Sequence, residues 1–115
     1  ENYAFRAHLE SDDDNNPVVG ILNSMIMTEF QTESRDFAVM IDKEFRRSLS
    51  HPSRGIDQAG FFVLNKVFTP SVLIETAFIS NPTEEKLLRD KKFQRQISES
   101  IAEAVKRFKA KYEDR

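Results

Sequence analysis

The chain has no cysteine and no tryptophan, and among its 115 residues only three are glycine and four proline. Lack of cysteine excludes disulfides and thiolate catalysis while leaving the compartment open. So few glycines leave no glycine-rich phosphate loop, which argues against nucleotide binding. No apolar run approaches the roughly 20 residues that a membrane-spanning helix needs. Basic charge is not in excess either: the formal net charge is -2, without the footprint of a nucleic-acid binder. Ten of the twelve aromatic residues are Phe, a composition that suits core packing better than the Tyr and Trp platforms of many ligand sites. The opening Glu1-Asn-Tyr-Ala-Phe has neither a basic start nor an apolar h-region, and it lacks an initiator Met. It therefore reads as the start of a processed or truncated product.

What is present is the material of one small domain, with 31% charged and 39% hydrophobic residues. Residues 1–16 read as an acidic lead-in. Tyr3, Ala4 and Phe5 can pack, whereas Glu10 to Asn16 form a polar loop that is solvated rather than a cation site. From Pro17 the apolar spacing turns helical. Val18, Val19, Ile21, Leu22, Met25, Ile26 and Phe30 are followed in the same period by Phe37, Met40, Ile41, Phe45 and Leu49. Asn16 is placed to cap this stretch, with Pro17 in its first turn. The polar Gln31 to Arg35 between the two series implies either a break or one long helix with a polar interruption.

Ser50 to Gly55 reads as a loop, Gly60 to Leu64 as a first strand, residues 66–70 as a connector, and Ser71 to Thr76 as a second strand. Asn81-Pro-Thr-Glu84 combines an N-cap, a first-turn proline and a glutamate three residues after the cap, so a short helix should run to about Asp90. A last helix follows, with Phe93, Ile97, Ile101, Val105, Phe108 and Tyr112 as its core stripe. Two strands among helices point to an α/β fold with a partial, parallel-rich sheet flanked by helices. A sheet that small leaves an edge and a face uncovered, so missing upstream sequence is expected to complete it.

Glu75 is the residue that this pattern makes conspicuous. Val72, Leu73 and Ile74 precede it and Ala77, Phe78 and Ile79 follow. A carboxylate in a buried run needs a cation, hydrogen bonds or a raised pKa. From the pattern alone it serves equally as a catalytic acid or base, or as one half of a structural ion pair. Ser71, Ser80 and Ser98 have no partner pattern for nucleophilic catalysis. His8 and His51 are the only histidines and have no ligand spacing, so neither is expected to hold a metal.

The motif Pro70-Ser-Val-Leu-Ile-Glu75-Thr-Ala-Phe-Ile-Ser-Asn-Pro82 resembles the C-terminal signature of zinc-dependent N-acetylmuramoyl-L-alanine amidases. The likeness extends upstream over Arg54-Gly-Ile-Asp-Gln-Ala-Gly-Phe-Phe-Val-Leu64. Downstream it covers Glu84-Glu-Lys-Leu-Leu88 and the helix from Phe93 to Phe108. The resemblance implies hydrolysis of the amide between N-acetylmuramic acid and L-alanine in peptidoglycan, in the cell envelope, periplasmic or secreted. It implies Glu75 as the general base and a zinc ion held by two His and one Glu in upstream motifs absent here, so that no metal ligand lies in this chain and the chain alone is inactive. Asn81 would orient the loop or simply cap the helix.

On this reading residues 1–115 form the C-terminal portion of one amidase catalytic domain, with a helical, regulatory stretch over 17–49 and a strand-strand-helix-helix core over 50–115. Some amidases of cell division, which the chain also resembles before residue 50, carry a helix that blocks the zinc cleft until an activator protein removes it. Ile21, Leu22, Met25, Ile26 and Glu29 are candidates for such a plug. Glu29 or Glu1 would be the carboxylate that fills the open zinc position, the alternative being an ordinary core helix. The competing function is a noncatalytic module that binds a partner or the cell wall, with Glu75 in an ion pair.

Overall fold

The computed structural model describes residues 16–64 and 67–113. Helix α1 spans Pro17–Ser48, a 3-10 turn spans Phe62–Leu64, α2 spans Pro82–Arg89 and α3 spans Lys91–Glu113. Tyr3, Ala4, Phe5, His8, Glu1 and the acidic stretch 10–15 lie outside the described residues.

α1 is one uninterrupted helix. Asn16 caps it by accepting the Val18 N–H at 3.0 Å, and Pro17 opens its first turn. The polar stretch 31–35 does not break it, because Gln, Glu and Arg are good helix formers and the hydroxyls find partners inside the helix. Ser24, Thr28, Thr32 and Ser34 each donate to the carbonyl four residues earlier, at 2.9, 2.8, 3.0 and 2.6 Å. Arg46 and Arg47 in the last turn complement the helix dipole, and the Leu49 N–H closes the end on the Phe45 carbonyl.

α3 runs antiparallel to the C-terminal half of α1. Phe37 and Phe108 meet at 4.8 Å between ring centroids, and Gln96 Nε2 donates to the Ser48 carbonyl at 3.3 Å. Buried Glu44 is held by Arg47 at 2.6 Å and by Arg107 at 3.2 Å. At the far end Asp36 accepts from Tyr112 Oη at 2.7 Å and pairs with Lys111. These contacts between the two helices run from Asp36 to Ser48, within the second half of α1. The radius of gyration, 17.7 Å, exceeds the roughly 13 Å of a compact chain of this length.

Two expectations are corrected here. The partial parallel-rich sheet of an α/β fold is absent among the described residues, which are helices joined by irregular segments. A strand requires its backbone groups to find a ladder. Here the Ser71 N–H is taken by Ser34 Oγ at 2.9 Å and the Phe78 N–H by a Glu84 carboxylate oxygen at 2.6 Å, so side chains stand where strand partners were expected. The other candidate strand contains the 3-10 turn, on which Phe62 and Val63 are exposed. The core stripe of α3 is also corrected, at one position, since Phe93 and Ile97 are buried and Ile101, Phe108 and Tyr112 half-buried as expected. Phe93, Ile97, Ser100 and Ala104 are buried, while Val105 is exposed.

Candidate functional site

The segment 71–79 follows a groove of about 800 Å³ floored by α1 and walled by the loop that leaves it. Ser34, Ile41 and Phe45 of α1, His51 and Arg54 of the loop, and Glu75 itself line this space. The loop is fastened to α1 by the Ser53 hydroxyl, which donates to Asp42 and also accepts the Gly55 N–H at 3.0 Å. The chain then turns at Gly55 with φ 87°, a conformation that L side chains rarely adopt.

Glu75 is exposed at this groove and has no ion-pair or hydrogen-bond partner among the described residues. The expectation that it sits in a buried strand is therefore corrected. The cost of burying a carboxylate falls on Glu84, which is only 3% exposed. Glu84 meets that cost with several partners. Arg54 pairs with Oε1, the Phe78 N–H donates to Oε2, and His51 Nε2 lies 3.3 Å from Oε1 without hydrogen-bond geometry. The Arg54 guanidinium also stacks over the Phe78 ring at 4.7 Å. Arg54 first, and then the Phe78 N–H, hold the Glu84 carboxyl below the usual carboxylate range, against the opposing effect of burial.

The sequence signal for Glu84 was its place three residues after the cap, but the side chain does more than close a capping box. A capping-box glutamate reaches back to the N–H of its cap residue. Here the Asn81 N–H donates to the Phe78 carbonyl at 3.1 Å, and Glu84 reaches past it to residue 78. Asn81 caps α2, accepting from the Thr83 and Glu84 N–H groups at 3.0 and 3.2 Å.

The other candidates lie apart. Ile21, Met25 and Glu29 line a separate shallow surface on the first half of α1, and none of them reaches the Glu75 groove. Ile21, Leu22 and Met25 are each more than half exposed, and Ile26 is half-buried. Among the described residues no three His, Asp or Glu side chains converge as a metal site needs, so these residues do not fit a complete zinc centre. Among the described residues no helix is long and apolar enough to cross a membrane.

Comparison with known proteins agrees with the motif. The profile of the N-acetylmuramoyl-L-alanine amidase family matches residues 2–107. The N-acetylmuramoyl-L-alanine amidase AmiC of Neisseria meningitidis is 43% identical over 88 residues, covering 76% of this chain and 21% of that protein. AmiA of Escherichia coli is 38% identical over 85 residues, covering 74% of this chain and 29% of its own length. The germination-specific amidase of Bacillus subtilis is 34% identical over 77 residues, 66% of this chain and 32% of that enzyme. The chain thus spans about a fifth to a third of these curated relatives. No solved structure matches it. With the signature around Glu75 and the family profile covering nearly its whole length, this chain belongs to the N-acetylmuramoyl-L-alanine amidase family.

Proposed function

We propose that this chain supplies the general base for hydrolysis of the amide between N-acetylmuramic acid and L-alanine in peptidoglycan, and that Glu75 is that base. The carrying observation is that Glu75 stands exposed on the groove with no cation holding it among the described residues. A carboxylate so placed can accept a proton from the water that attacks the amide carbonyl. It then returns the proton to the departing alanine nitrogen as the C–N bond breaks, leaving a carboxylate on the muramic acid. The noncatalytic alternative needs Glu75 in an ion pair, and no such partner is present among the described residues.

Zinc, which the family likeness implies, would be held by residues elsewhere in the longer protein. The chain by itself is accordingly inactive. The substrate places the whole protein in the cell envelope, periplasmic or secreted. Asn81 supports the site by fixing the start of α2. The first half of α1 acts as a removable cover that an activator protein displaces. Its support is the exposed apolar row Ile21, Leu22 and Met25, which stands off the Glu75 groove and is open to the part of the catalytic domain outside this chain.

The test is Glu75→Gln in the full-length protein, assayed on purified peptidoglycan with zinc content and folding measured alongside. A folded, zinc-bearing variant should lose activity by roughly 100- to 10,000-fold. Retained activity would remove the assignment.

A further inference from the structure

We infer that Glu84 is a positioning residue for Glu75, acting through the backbone of Phe78. This rests on the reading of Glu75 as the base. Among the described residues no strand pairs with the segment that carries Glu75. Two side-chain contacts hold it instead, one near each end. Ser34 Oγ accepts the Ser71 N–H four residues before Glu75, and Glu84 Oε2 accepts the Phe78 N–H three residues after it.

The two anchors differ in strength. The Ser34 contact is a neutral hydrogen bond, whereas the Glu84 contact is charge-assisted, at 2.6 Å, to a carboxylate withdrawn from water. The same carboxylate holds Arg54, and Arg54 lies over the Phe78 ring, so backbone and side chain of residue 78 are gripped by one linked unit. His51 packs against the unit from the end of α1. The turn on which Glu84 stands is capped by Asn81, which accepts the Glu84 N–H at 3.2 Å. The chain of support therefore runs from α2 through Glu84 to Phe78 and on to Glu75, without Glu84 lining the groove.

A base must sit within hydrogen-bond reach of its proton, and a misplacement of about 1 Å can cost on the order of 100-fold in rate. Glu84→Gln keeps an acceptor of the same shape but removes the charge that grips Arg54. In the full-length protein it should lower kcat by roughly ten- to a hundredfold. KM should stay within about twofold and zinc content should not change, because in this inference neither substrate binding nor the metal depends on Glu84. Amide hydrogen exchange over residues 71–80 should quicken. Arg54→Lys, a change at a half-exposed side chain, should move kcat and exchange in the same sense by less, and carries the test if Glu84→Gln fails to fold.

Unchanged kcat in a folded variant overturns the inference, as does a loss of activity confined to KM or one without faster exchange. Glu75→Gln measured beside them separates the two readings. Retained activity there removes the base and this inference with it. A loss there with full kcat in Glu84→Gln removes only the positioning role.

Discussion

The Ser71 N–H donates to Ser34 Oγ at 2.9 Å while the same hydroxyl donates to the Phe30 carbonyl at 2.6 Å. One serine on α1 thus serves both its own helix and a segment 37 residues away. Ser34→Ala should leave the Ser71 N–H without its partner. We expect a loss of about 1 kcal/mol in urea unfolding, with a severalfold fall in peptidoglycan hydrolysis by the full-length protein. An unchanged unfolding midpoint would show that the contact carries no stability.

The core is thin enough for single changes to matter. Ile97 is 8% exposed and Ala104 is fully covered on the same stripe of α3. Ile97→Ala should cost about 2–5 kcal/mol through the cavity it leaves. Ala104→Leu should cost about 1–3 kcal/mol by overfilling the contact with α1. Denaturant midpoints would check both, and equal effects from Val105→Ala would mean that the buried stripe is misplaced.

Acid should loosen the molecule at the junction of α1 and α3. Lys111 and then Tyr112 hold the Asp36 carboxyl below its usual range. A depressed carboxylate adds stability that is present above its unfolded pKa, near 4, and is lost as pH falls through the lower folded value. Glu84 adds a second contribution of the same sign through Arg54. Thermal stability should therefore drop from about pH 4 downward, and Asp36→Asn should flatten that drop.

The partner of that contact titrates the other way. Donation to Asp36 raises the Tyr112 phenol above its usual value, with burial acting in the same direction. A raised pKa gives stability that is present at neutral pH and is lost as pH climbs through the folded value, above about 10. Asp36 raises Lys111 as well, so Tyr112→Phe should reduce the alkaline loss rather than abolish it, and a melting series between pH 8 and about 11 would show it.

Met25→Glu tests the cover. Met25 is 64% exposed, so the change should leave stability within about 0.5 kcal/mol. If the first half of α1 closes the cleft in the full-length enzyme, activity without activator should rise. A folded variant with unchanged activity would count against the cover.

The helices were readable because their signals are local. Asn16-Pro17 and Asn81-Pro82 mark the starts of α1 and α2, whereas the apolar spacing left open whether α1 breaks at its polar middle. The strands were misread because an apolar run such as Val72 to Ile74 says nothing about where its backbone groups find partners. Those partners are Ser34 and Glu84, 37 residues before and 6 residues after the groups they hold. The same distance problem hid the buried acid. Glu75 drew attention through its apolar neighbours, yet Glu84, in a polar stretch, is the carboxylate taken out of water, and its guanidinium partner is 30 residues upstream. The exposure of Val105, the one misplaced member of the α3 stripe, has a simpler cause. Ser100 and Ala104 are small enough to let α1 approach, and hydrophobicity alone ranks them below Val105.

The hydroxyls that bond back along the first half of α1 have a consequence for how that half can be used. Ser24, Thr28 and Thr32 are satisfied by carbonyls of their own helix. Whatever neighbour this stretch takes or gives up, none of the three is left wanting a donor or acceptor. Such a rod can be docked and undocked without breaking a hydroxyl hydrogen bond, which leaves the exposed Ile21, Leu22 and Met25, together with Asn23, whose covered Oδ1 has no partner among the described residues, to set its attachment.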